Sequence, residues 1–197
     1  MKPKKLFYTI FIFMMSLTIT AQEYKKVIKN EFNEYMTFIE AKNFKKALDF
    51  VLPESFQIIP KAQLLKLLEQ SYNDPSYKIE FKNSTIFDIG DVQKFGKKYY
   101  SLLNYSTQMD MKIMNTNDLT AEGKKTLIDH TISVYQKVYG ADNVRYNSGT
   151  DFFEIIIQRP VYAISNDGKI NWKFLVVEKQ QMSMLEKLLP KELIDKI

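Results

Sequence analysis

The stretch ISNDGKINWKFLVVEK, residues 164–179, reads as a hairpin that closes a sheet. SNDGK suits a three-residue loop, with Asn166 and Asp167 in a type I turn and Gly168 supplying the positive φ of a bulge. That register pairs Ser165 with Lys169, Ile164 with Ile170 and Tyr162 with Trp172. One face then carries Tyr162, Ile164, Ile170, Trp172, Phe174 and Val176. A two-residue Asp-Gly loop slips the pairing and sets Ala163 and Val161 opposite Trp172 and Phe174. The first register is favoured because it pairs aromatics and gathers more apolar area on one side.

Upstream the period of the pattern changes twice. Tyr24, Ile28, Phe32, Tyr35 and Ile39 fall three and four residues apart, one stripe of a helix. In NFKKALDFVLPESF (43–56), Asn43 is placed to cap a short second helix bearing Phe44, Ala47 and Leu48, and Pro53 ends it. Pro60 opens a third helix with Leu64, Leu65, Leu68 and Tyr72 on one face, and NDPS at 73–76 breaks it. Alternation then takes over. Tyr77, Ile79, Phe81, Thr85, Phe87 and Ile89 face one way on one strand; Tyr99, Leu103, Tyr105, Met109 and Met111 do so on the next. A helix over 121–139 interrupts, with a stripe of Leu127, Ile128, Thr131, Tyr135, Val138 and Tyr139 and Gly140 at its C-terminus. Strands resume in FFEIIIQRPVYAIS and KINWKFLVVEK, and MSMLEKLLPKELIDKI closes the chain with a helix that Pro190 kinks or restarts. Helices first, then strands, is an α+β order rather than the alternation of a parallel sheet.

The start of the chain is of another kind. MKPKK, then LFYTIFIFMMSL, then TITAQ, with no acid before Glu23, is the order of a secretory signal peptide. Cleavage between Ala21 and Gln22 is expected, so residues 1–21 are a leader and 22–197 a single domain, periplasmic or secreted. The apolar run is shorter than the ~20 residues a spanning helix needs, and no membrane association is expected after cleavage. Losing Lys2, Lys4 and Lys5 takes the formal charge from +5 to +2. The only arginines are Arg145 and Arg159, which speaks against a nucleic-acid reader. With no cysteine and a single histidine, thiol chemistry, disulfides and a histidine-based metal site are excluded, and no cofactor is expected.

The order of a long helix, NFKKALDFVLPESF, a helix, strands and a closing W-K-F strand resembles the nuclear transport factor 2-like superfamily, the cone-shaped SnoaL-like domains. Their long helix is followed by a short one of the kind xFxxALxFxxPxxF, matched here by Phe44, Ala47, Leu48, Phe50, Pro53 and Phe56. The resemblance implies a curved antiparallel sheet wrapped around the N-terminal helices, enclosing a hollow cone. The helix at 121–139 and the tail at 182–197 depart from the family's minimal pattern, and either could cap or fill the cone.

Enzymes of that superfamily place an aspartate, histidine or tyrosine inside the cone. Here His130 stands beside Asp129 on the inserted helix, off its apolar stripe, and adjacent helical residues do not face each other. Asp110 has no evident partner to raise its pKa. No phosphate loop or serine elbow is present. Tyr105, Tyr162 and Trp172 either line a ligand pocket or form a solid core. Arg159 either holds an anion or lies on the solvent face before Pro160. The expected function is an exported, non-catalytic domain that binds a small apolar ligand or a protein partner. The alternative is a cone-fold lyase or isomerase with an acid–base residue in its cavity.

Overall fold

The computed structural model describes residues 23–197, so the leader and the Ala21–Gln22 cleavage point lie outside the described residues. The first helix, α1, spans 23–40 and buries Ile28, Phe32 and Met36. Lys42, at φ 56°, turns the chain out of it, and the Asn43 amide donates to the Phe38 carbonyl at 2.8 Å. Asn43 caps α2 (Phe44–Ala47), its side chain accepting from the Lys46 amide at 3.4 Å. A 3₁₀ turn at Pro53–Gln57 and α3 (Lys61–Tyr72), entered through Pro60, complete the N-terminal helices. α3 lies on the surface with no fully buried residue, and Tyr72 stacks between Phe44 (4.7 Å between ring centres) and Phe81 (5.8 Å).

The sheet is antiparallel throughout and open. Its long strands are β1 (Tyr77–Ile89), β3 (Lys98–Ile113) and β5 (Phe152–Ser165), joined by short β2 (Gln93–Phe95), β4 (Val144–Asn147) and β6 (Lys173–Val176). The order is β1-β3-β5-β4, with β2 on β3 and β6 on β5. β3 and β5 pair without a register shift from Tyr99↔Ser165 to Met111↔Phe153, so their odd residues share one face along the whole ladder. Leu103, Tyr105, Val161 and Ala163 pack with α1, whereas Met111, Phe153 and Ile155 pack with α4 (Ala121–Tyr139). The even residues Tyr100, Tyr162 and Ile164 form a separate core with the tail, α5 (Met182–Leu188) and α6 (Lys191–Ile194). Helices on both faces explain why Val161–Ser165 is buried residue after residue instead of alternating. The tail helix restarts at Pro190, after an extended Leu189.

The hairpin has neither of the registers expected from its sequence. Val161 pairs with Val176, Tyr162 with Leu175, Ala163 with Phe174 and Ile164 with Lys173. Trp172, Phe174 and Val176 therefore go with Val161 and Ala163 against α1, and Tyr162 faces away from Trp172 into the tail core. The slipped alternative has the right face but the wrong partner. The loop is longer than a tight turn because side chains supply the hydrogen bonds that a ladder would otherwise make. Ser165 Oγ accepts from the amides of Asp167 and Gly168 at 3.2 Å each, and Asp167 Oδ1 accepts from Lys169 N (2.8 Å) and Ile170 N (3.1 Å). The Glu31 carboxylate on α1 accepts from Asn171 N (3.0 Å) and Trp172 N (2.6 Å). Gly168 sits at φ 73°, where a Cβ would stand 2.8 Å from the Tyr99 ring.

α4 differs from its sequence pattern at one position on each side: Val138 is exposed and Ile132 packs against the sheet. The helix is tied down through Asp151, at φ 61° in the β4–β5 turn. Tyr146 Oη donates to Asp151 Oδ1 at 2.6 Å and Lys124 Nζ to the same oxygen at 2.9 Å; Lys112 stands 3.7 Å from Oδ2. The Tyr146 bond first, then Lys124, hold the Asp151 carboxyl down at about 2. Its folded pKa lies below the unfolded ~3.9, so this stabilisation is fully present above pH ~4 and is lost as pH falls through the folded value. Because the side chain is 39% exposed, solvent screening cuts the net effect to about 1 kcal/mol. Asp151→Asn should therefore lower Tm by roughly 2–4 °C at neutral pH, with the gap to the parent closing by about pH 2. A gap of the same size at both ends of a pH series of melts would show that the charge has no part in it.

Candidate functional site

A cleft of about 570 Å³ opens on the side of the sheet where the tail folds back. Its apolar lining comes from Tyr100 and Leu102 on β3, Pro160 and Tyr162 on β5, and Leu193 on α6. Their proximity has a local cause on each element. Leu102 and Leu103 are adjacent apolar residues on opposite faces of β3, so when Leu103 enters the α1 core Leu102 is left on the cleft side, 37% exposed. Tyr162 follows from the hairpin register, which sends it away from Trp172. Leu193 arrives because Leu185, Leu189 and Leu193 dock the tail on this face. Between β1 and β2, Gly90 passes so close to β3 that a Cβ would stand 3.1 Å from the Leu102 carbonyl oxygen, and this carries Asp91 to the rim.

Asp88, Asp91, Arg159, Glu178, Lys179 and Lys196 border the cleft, and Arg159, Glu178 and Asp91 are ion-paired within the protein. Arg159 Nε donates to Glu178 Oε1 at 3.3 Å and its Nη1 to the Gln158 carbonyl at 2.9 Å, while the guanidinium lies 5.5 Å from the Tyr139 ring centre. Asp91 is paired with Lys25 at 3.0 Å and accepts from Tyr24 Oη at 3.4 Å; the bond to Lys25 holds its carboxyl below the usual range. Lys196 Nζ donates to Gln93 Oε1 at 3.1 Å, joining the tail to β2 across the opening. Burial raises the hydroxyls of Tyr100 and Tyr162, so both are neutral donors at physiological pH. An apolar floor under a polar rim suits a guest held chiefly by shape and burial.

The four residues singled out from the sequence separate into two pairs. Arg159 and Tyr162 border the cleft. Tyr105 and Trp172 lie in the core shared with α1, where Phe32 meets Tyr105 edge-on at 5.0 Å and Trp172 has no exposed surface. Burial pushes the Tyr105 hydroxyl up to about 12. Sequence reasoning missed Leu102, Pro160 and Leu193. The readable sign for Leu102 is its place in an unbroken apolar pair; the others depend on the tail's docking.

The candidate acid–base groups lie elsewhere. His130 is exposed on α4, and Asp129 beside it is paired with Lys125 at 2.8 Å. Asp110, for which the sequence offers no evident partner, is buried and ion-paired with Lys82, and it accepts from Gln108 Nε2 at 2.7 Å. Among the described residues no group of three or more acidic, histidine or cysteine side chains converges as a metal site, and no helix is long and apolar enough to cross a membrane. No family model matches the chain, and no curated protein or solved structure matches it either.

Proposed function

We propose that this chain is an exported, non-catalytic binding domain, and that its guest is a small, largely apolar molecule held in the cleft between β3, β5 and the tail. The observation that carries the reading is the cleft's composition. Its volume lies within the range of small-molecule sites, its floor is Leu102, Pro160, Tyr162 and Leu193, and of its rim charges Arg159, Glu178 and Asp91 are ion-paired within the protein. His130, Asp129 and Asp110, the acid–base candidates of the sequence, do not line it, and of the acids that do, Asp91 and Glu178 are ion-paired. Export rests on the leader pattern of residues 1–21. Kinship with the nuclear transport factor 2-like superfamily, and the cone shape that goes with it, rest on element order and the NFKKALDFVLPESF motif.

The uncharged, environment-sensitive dye N-phenyl-1-naphthylamine tests the cleft directly. It should bind the parent protein with enhanced fluorescence. Leu102→Lys sets a charge on a part-exposed floor residue, so it should leave the fold intact while weakening dye binding about tenfold or more. Absence of dye binding to the parent, or equal binding to Leu102→Lys, would remove the cleft as the site.

A further inference from the structure

A different face, around α2, concentrates positive charge on aromatic rings. Lys46 Nζ lies 5.2 Å from the Phe38 ring centre, Lys173 Nζ 5.7 Å from Phe50 and Lys61 Nζ 5.7 Å from Phe56. Phe38 and Phe50 are themselves 6.0 Å apart, so the array is continuous. At its centre stands Asp49, ion-paired to Lys61 at 2.5 Å, with Lys173 Nζ on its carbonyl oxygen at 2.8 Å. Lys45 is also near enough to help hold the Asp49 carboxyl below its usual range, after the dominant bond to Lys61. Three lysines, Lys61, Lys173 and Lys45, thus act on one carboxylate. Glu54, the next acid along the chain, is engaged by Lys98.

The chemistry of this face is specific in two respects. Every cation on it is a lysine, a hydrated point charge, and none is an arginine, whose rigid fork suits a defined carboxylate or phosphate. The lysine stems also lie along half-buried phenylalanines, with Ile58 37% exposed just beyond Phe56. Several point charges spread level with apolar surface match a plane of anionic head groups over an apolar interior.

We propose that the face formed by Lys45, Lys46, Lys61 and Lys173 over Phe38, Phe50 and Phe56 holds the protein peripherally against an anionic lipid surface. The attachment is electrostatic and reversible, unlike an anchor, and its residues are not among those lining the cleft. Each lysine near such a surface contributes a factor of about five in partitioning.

Vesicle sedimentation with the chain from Gln22 onward, so that the leader contributes nothing, provides the test. The protein should sediment with equimolar phosphatidylglycerol/phosphatidylcholine vesicles at low salt, be released at high salt, and ignore pure phosphatidylcholine. The triple variant Lys45→Gln/Lys46→Gln/Lys61→Gln should lose about a hundredfold, and Asp49→Asn, which removes the acid paired with Lys61, should gain about fivefold. Circular dichroism confirms that both variants are folded. Equal partitioning onto neutral vesicles, or parental binding by the triple variant, overturns the proposal. So does binding to soluble heparin fragments without binding to phosphatidylglycerol vesicles, which would assign the face to a soluble polyanion.

Discussion

Trp172→Ala should destabilise the protein by about 3–5 kcal/mol, as large-to-small aromatic substitutions in a filled core do. Trp172 is the largest side chain in the structure with no exposed surface. It shares its core with Ile28 and Phe32 of α1, Val161 and Ala163 of β5, and Phe174 of β6. The surrounding rings are held in edge-on contacts, with Phe32 and Phe174 5.0 Å apart at 83°, so they cannot slide flat to refill the space. The backbone is fixed as well. Glu31 holds the Trp172 amide, the indole Nε1 donates to the Lys169 carbonyl at 3.3 Å, and the Phe174 amide donates to the Phe50 carbonyl at 2.7 Å. A residue pinned this way on both sides leaves a cavity when truncated. Urea unfolding should show a lowered midpoint with an unchanged slope. A cost below about 1 kcal/mol would mean that the α1 core is not packed as described.

The elements themselves were legible because each has a local cause. Asn43 caps α2, Pro60 opens α3, Asn73 ends it, and the change from helical spacing to alternation falls at Tyr77. The register of the last hairpin was not legible, and the reason is physical. Turn statistics assume that amides leaving the loop must find partners across the ladder, but Glu31 on α1 satisfies Asn171 and Trp172 from outside the sheet. That contact spans 140 residues in sequence, and nothing in SNDGK announces it. The favoured register groups Tyr162 with Trp172, and only the slipped one turns Tyr162 to the other face, where it joins a second core with the tail. Arg159 shows the same limit: its partner Glu178 lies directly beyond β6, so its pairing depends on the register that the sequence did not settle.

The tail gives the second large effect. Leu193→Ala should cost about 2–5 kcal/mol, the range for a buried leucine reduced to alanine. Leu193 is 1% exposed and packs with Leu52, Leu185 and Leu189 beneath Tyr100 and Tyr162. α6 spans only Lys191–Ile194, far short of the ~12–15 residues at which an isolated helix becomes marginally stable, so side-chain docking is what holds it. Leu193 also lines the cleft, and Lys196, one turn on, makes the bond to Gln93 that links the tail to β2. Loss of the leucine should therefore do two things together. Amide exchange across Met182–Ile197 should quicken more than exchange in the β3–β5 ladder, because the tail can open while the α1 core stays closed. Dye affinity should fall at least about tenfold, since one wall of the cleft is no longer held in place. A Leu193→Ala protein with parental stability and parental dye affinity would show that the tail neither completes the second core nor forms the cleft, and the binding reading would lose its structural basis.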